Sequence, residues 1–223
     1  MQQISYNSTA ARALDFKNIP ASNVYTSRQD MYEYMLVINA DKRVKQELTA
    51  ERRIFLDKYN TGIHDADDTS ITVMSFAATE DMEGTIIRWM QRIFGQQESF
   101  IVTLNNYSGY PPNNIHLRVQ YTQAFQRLGK ELKVIDNYVK SYGLPAARIS
   151  NHPHLTLARR IPEDIYTKAM FDYARRDFYG SFIANELVLL KRKHQFETAK
   201  KINVFGLLPG LATTAYNEPL ITF

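Results

Sequence analysis

Two stretches of this chain repeat one local pattern at nearly one spacing, so the chain reads as two related halves. The apolar run Tyr32 to Asn39 (YEYMLVIN) leads into a polar helical stretch and then into Ser70-Ile71-Thr72-Val73-Met74. The run Ile115 to Gln120 (IHLRVQ) leads into a long helical stretch and then into His154-Leu155-Thr156-Leu157. Met35 lies 35 positions before Ser70, and Leu117 lies 37 before His154. In a strand, residues i and i+2 share a face. His154 and Thr156 therefore point one way while Leu155 and Leu157 pack the other. The repeat makes Ser70 and Thr72 their counterparts, with a serine where the second half has a histidine.

A His-x-Thr motif with an internal counterpart on a strand–helix–strand repeat resembles the two-histidine phosphoesterase superfamily, the 2'-5' RNA ligase-like and RNA 2',3'-cyclic phosphodiesterase proteins. The resemblance spans Tyr32 to Leu208 and includes the late strand Glu186-Leu187-Val188-Leu189-Leu190-Lys191-Arg192. It implies an α+β domain, pseudo-symmetric and two-lobed, in which two antiparallel-rich sheets flank a central cleft with helices outside. It also implies metal-independent, cofactor-free chemistry. Two imidazoles serve as general base and acid on a 2',3'-cyclic phosphate or 2'-5' linkage, and Thr or Ser hydroxyls hold phosphate oxygens. Carried over residue by residue, His154 is catalytic and Thr156 and Thr72 bind phosphate. Ser70 departs from the pattern, since a serine hydroxyl does not exchange a proton near neutral pH as an imidazole does; it remains a phosphate ligand or a small residue tolerated there.

The elements fit that frame. Residues 1–30 lack periodicity and read as an N-terminal extension, 31–209 as the phosphoesterase-like domain and 210–223 as a C-terminal tail. Asp41 to Tyr59 reads as a helix with apolar Val44, Leu48, Phe55 and Tyr59, stopped near Gly62. A second helix has Thr79 at its cap, Glu80 and Asp81 in its first turn, an Ile86, Met90, Ile93 and Phe94 stripe, and Gly95 at its end. Phe100 to Asn105 reads as a strand closing the first half, before a turn at Ser108-Gly109-Tyr110-Pro111-Pro112. The long helix of the second half carries apolar residues at 125, 128, 132, 135, 139 and 142. Pro162 opens a further helix, and strands follow over Phe182 to Arg192 and Lys200 to Phe205.

With 223 residues the chain is long enough for one domain with a full core. It has no cysteine, which removes disulfides and thiolate metal sites. Its 9 glycines form no G-x-x-x-x-G-K phosphate loop, and no His-x-x-x-His or Asp-rich pair suggests a metal. No apolar run approaches the roughly 18 residues of a membrane span, so cytoplasmic residence without membrane contact is the expectation. A formal charge of +4, with basic bunches at Arg159-Arg160, Arg175-Arg176, Lys191-Arg192-Lys193 and Lys200-Lys201, suits an anionic partner. Nucleotide or RNA ends bearing a phosphate are the expected partners; the oligomeric state is open.

Alternation names the remaining candidates. If Ile115, Leu117 and Val119 pack under the helix, then His116, Arg118 and Gln120 face the groove. There His116 is a second proton carrier, and Arg118 a charge-assisted phosphate donor. Tyr32, Tyr34 and Phe76 are candidates for stacking a base, with core packing as the competing reading. Three functions stay open at this point: a phosphodiesterase in which His116 substitutes for the lost histidine, a nucleotide- or RNA-end-binding protein without turnover, and a partner-binding scaffold with a vestigial cleft. His152, His64 and His194 read as loop or surface residues.

Overall fold

The computed structural model describes residues 30–59, 69–194 and 197–210. Residues 1–29 of the N-terminal extension, Gly62, His64 and the C-terminal tail after Gly210 lie outside the described residues. In chain order the elements are β1 (Met31–Asn39), α1 (Lys42–Tyr59), β2 (Ser70–Thr79), α2 (Glu80–Phe94), β3 (Phe100–Tyr110), β4 (Asn114–Val119), α3 (Gln123–Glu131), α4 (Lys133–Ser141), β5 (Arg148–Ile149), β6 (His154–Arg159), α5 (Glu163–Tyr173), β7 (Tyr179–Ala184), β8 (Glu186–Arg192) and β9 (Lys200–Gly206). The fold is α+β, built on two antiparallel sheets ordered β5-β2-β1-β8-β9 and β6-β4-β3-β7.

The repeat is real at the level of pairing. β1 and β2, joined through α1, are antiparallel neighbours in the larger sheet; β4 and β6, joined through α3 and α4, are antiparallel neighbours in the smaller one. One expectation is corrected. β3 does not close the first half but pairs with β4 and β7 in the other sheet. The physical reason is the short connection over 111–113, which folds β3 back on β4 as a hairpin; such short links join antiparallel neighbours. β3 also runs on to Tyr110, through the first three residues of the expected turn, and the turn itself lies at 111–113. The late apolar run is likewise two strands, with Asn185 between β7 in one sheet and β8 in the other.

Helix faces explain the core. α1 starts where Asp41 Oδ1 accepts a 2.7 Å hydrogen bond from the Val44 amide, satisfying one of the donors a helix start leaves open. Its inward stripe is Val44, Leu48, Arg52 and Phe55. Along α2, Met82, Ile86, Met90 and Phe94 repeat every four residues and are all buried. Thr79 is its cap residue by position, but its hydroxyl makes no capping hydrogen bond. The long second-half helix is interrupted at Leu132, where the Ile135 amide turns to the Leu132 carbonyl, three residues back. The stripe at 125, 128, 132, 135 and 139 is buried as spaced, while Tyr142 is exposed and packs edge-on against Tyr138. Each fully buried side chain of this size contributes roughly 1.5–3 kcal/mol.

The two sheets meet along β2 and β6. β5 pairs with β2 (Met74 opposite Ile149, Ser75 opposite Arg148), and the Ser150 amide donates to the Val73 carbonyl at 2.9 Å. That seam ties the segment just before His154 to the strand carrying Ser70 and Thr72. Among the described residues no helix is long and apolar enough to cross a membrane.

Candidate functional site

β4 and β6 assemble one side of the site. Their register sets His116 directly opposite Thr156 and Arg118 directly opposite His154. Leu155 and Leu157 are buried on the other face, as are Ile115, Leu117 and Val119, so alternation places His116, Arg118, His154 and Thr156 on one shared face. The imidazoles touch: their ring centres are 4.5 Å apart and tilted by 48°. β6 is the edge strand of its sheet, and buried Arg52 of α1 caps it from behind. Its guanidinium donates to the carbonyls of Thr156 at 2.7 Å and Leu157 at 3.2 Å, so the arginine in the apolar stripe of α1 fixes the strand on which His154 and Thr156 sit.

Each imidazole is tied back through Nδ1. In His154 that nitrogen lies 2.9 Å from the His152 carbonyl. A carbonyl only accepts, so Nδ1 carries the proton and Nε2 is the basic nitrogen of the neutral ring. In His116, Nδ1 lies 3.1 Å from Asn114 Oδ1, and the same tautomer follows if the amide presents its oxygen. His116 is 4% exposed. Burial, the nearby His154 and Arg118 push its pKa down to about 3, so it is neutral at neutral pH. Arg118 is exposed and its Nε reaches only weakly, at 3.4 Å, toward the Asn105 carbonyl.

Ser70 and Thr72 sit on β2 in the other sheet. Ile71 and Val73 are buried, whereas Ser70 is half-buried and Thr72 exposed, so both hydroxyl residues face away from the core beneath that sheet. Thr72 pairs with Val37 and Ser70 with Asn39, beyond an irregularity in the β1–β2 register.

The aromatic stacking candidates are not in the cleft. Tyr34 and Phe76 face each other across β1 and β2, both 0% exposed, with ring centres 5.2 Å apart and planes 5° from parallel. The Tyr34 hydroxyl donates to Glu83 Oε2 at 3.0 Å, and Tyr32, on the same face of β1, lies under Lys191 at 4.2 Å. Alternation is the reason. Tyr32, Tyr34 and Leu36 share the core face of β1, opposite to that of Val37, the partner of Thr72. The basic bunches also have partners nearby: Lys191 reaches Glu80 and Glu83, Arg192 reaches Glu33, and Arg176 reaches Glu51.

Residues outside the sequence reading complete the site. Tyr110, at the end of β3, lies flat on His116 (4.5 Å, 24°) and edge-on to His154 (5.5 Å, 69°). Its only sequence signal is its place just before Pro111-Pro112, which mark the hairpin turn. Asn114 and the carbonyl of His152 orient the two rings. Among the described residues, no three His, Cys, Asp or Glu side chains gather as metal ligands.

Solved structures share this architecture. Escherichia coli LigT in its apo form superposes with a TM-score of 0.60 at 16% identity, covering 80% of this chain and 98% of LigT. TT0787 of Thermus thermophilus gives 0.61 at 13% identity, covering 79% and 98%. A structure described only as a phosphoesterase gives 0.56 at 14%, covering 81% and 98%. The chain has the LigT-like fold. LigT has also been solved with 3'-AMP, phosphate, NADP+ and ATP. No protein-family model and no curated protein matches the sequence itself. The agreement with these structures is one of fold.

Proposed function

We propose that the cleft binds the phosphate of a nucleotide or RNA end and catalyses metal-independent phosphodiester hydrolysis at a 2',3'-cyclic phosphate or 2'-5' linkage, with His154 and His116 as proton carriers. The contact of the two imidazoles at 4.5 Å, each with Nδ1 engaged by its own support, is the observation that carries this reading. The nucleotide and phosphate complexes of LigT favour the ligand class. In this mechanism neutral His116 accepts a proton at Nε2 from the attacking water as the new P–O bond forms. His154, protonated, gives its Nε2 proton to the departing oxygen as the old bond breaks. Thr156, Thr72 and Ser70 donate to the non-bridging oxygens, and Arg118 offsets their charge.

One observation favours a second reading, binding without turnover. In-line displacement puts the entering and leaving oxygens on opposite sides of phosphorus, yet both imidazoles stand on adjacent strands of one sheet, and the counterpart position on the other sheet is Ser70.

The test is hydrolysis and binding of 2',3'-cyclic mononucleotides and 2'-5'-linked dinucleotides by the native protein, His154→Ala, His116→Ala and Ser70→His. Native turnover lost by about 10²-fold or more in each histidine variant supports the paired mechanism. Loss with His154→Ala alone removes His116 from it. Binding without native turnover, with hydrolysis appearing in Ser70→His, establishes the binder. Neither binding nor turnover in any form defeats both readings and leaves a scaffold.

A further inference from the structure

We propose that Tyr110 is a positioning residue for the two imidazoles, its ring lying flat on His116 and edge-on to His154 so that both rings are held in one arrangement and the flat face of His116 is shielded from water while its Nε2 edge stays open. Three rings from three adjacent strands thus form one cluster, with Tyr110 on β3, His116 on β4 and His154 on β6. Tyr110 is 43% exposed while His116 is 4% exposed. The tyrosine therefore stands at the surface of the cluster with the histidine beneath it.

The backbone on which Tyr110 stands is itself held. At Gly109 an added Cβ would run into the Tyr166 hydroxyl, and it would lie 2.8 Å from Met170 Sδ and 3.1 Å from the Asn114 carbonyl. β3 thus runs flush against α5 one residue before Tyr110. Across the hairpin the Cα partner of Tyr110 is Asn114, whose amide contacts His116 Nδ1. One hairpin therefore supports the imidazole at its Nδ1 edge and on its flat face.

The groups around His116 come from every strand beside it. Arg118 and Asn114 lie on its own strand, His154 and Thr156 on β6, Ser108 and Tyr110 on β3. Burial first, then His154 and Arg118, oppose a positive charge on His116. Tyr110 brings no charge, because burial raises its own pKa and keeps the hydroxyl protonated. Its effect on His116 is shielding of the ring face together with ring contact, and removing the ring leaves His154 and Arg118 in place.

This inference deepens the hydrolase reading and rests on it only for reaction rates. The test uses the full chain as native protein, Tyr110→Phe and Tyr110→Ala. The histidine midpoints are followed by NMR of ¹⁵N-labelled imidazoles, and 2',3'-cyclic nucleotide hydrolysis is resolved into kcat and KM. In Tyr110→Phe, His116 should titrate as in the native protein. In Tyr110→Ala its midpoint should climb toward the ordinary value of about 6.5, with kcat down about tenfold and KM within about twofold. Tyr110→Gln gives the same reading should the alanine variant fail to fold. An unmoved His116 midpoint in the folded Ala or Gln variant overturns the proposal. Absence of native turnover defeats the hydrolase reading alone, because the titration still reports on Tyr110.

Discussion

Acidification should destabilise this protein through one buried side chain. His116 has a folded pKa near 3, against about 6.5 in an unfolded chain. The unfolded state therefore takes up the proton first. Above about pH 6.5 the residue has no effect on stability. As the pH falls below that value the native state loses about 1.4 kcal/mol per unit, until the folded pKa is reached. At pH 4.5, about two units down, the loss from this group alone is about 3 kcal/mol. His116→Asn carries no titrating group and should lack that component. The assay is urea unfolding of both proteins at pH 7 and pH 4.5, comparing the pH-induced loss in each. Native protein should lose about 3 kcal/mol more than His116→Asn, whatever other groups titrate in common. Equal losses, or an NMR midpoint for His116 near 6, would refute the claim that burial and neighbouring positive charge keep this ring neutral.

Other perturbations test the supports of the site and core. Arg52→Met removes both guanidinium hydrogen bonds to the β6 edge and should cost about 2–4 kcal/mol by chemical denaturation, with His154 shifting in the NMR spectrum. Gly109→Ala should lower stability by about 1–3 kcal/mol through its clash with Tyr166 and Met170; pairing it with Tyr166→Phe, which deletes the nearest atom, should recover part of that loss in a thermal melt. Tyr34→Phe should cost about 1–2 kcal/mol by leaving Glu83 short of a donor. Nucleotide binding by Tyr34→Phe, followed by calorimetry, should stay unchanged, because that ring packs in the core.

The two-sheet α+β fold was legible in the sequence because each half carries its own periodicities and nearly the same spacing. The alternation of Ile115, Leu117 and Val119 sufficed to turn His116 and Arg118 to the face of His154 and Thr156. The same rule, applied to Tyr32, Tyr34 and Phe76, left their side open. These aromatics are apolar enough for either face, and the choice rests on the core beneath the sheet, where the Tyr34 hydroxyl meets Glu83 of α2. The split of the second-half helix at Leu132 carries no glycine or proline signal at that residue, so its stripe looks continuous.

The partners of the histidines lay further out of reach. Arg52 stands out as a cation in an apolar stripe, but its acceptors are backbone carbonyls more than a hundred positions away. Tyr110 is assigned to a turn by its prolines, and only the hairpin that joins β3 to β4 lays its ring on His116. The sequence by itself determined most of the elements, the repeat and the faces of β4 and β6, because those follow from local periodicity. The exchange of β3 into the second sheet, the core placement of the aromatics and the stack of Tyr110 on two imidazoles were decided only by tertiary structure. Each depends on which strand pairs with which, and residues distant in the chain set that.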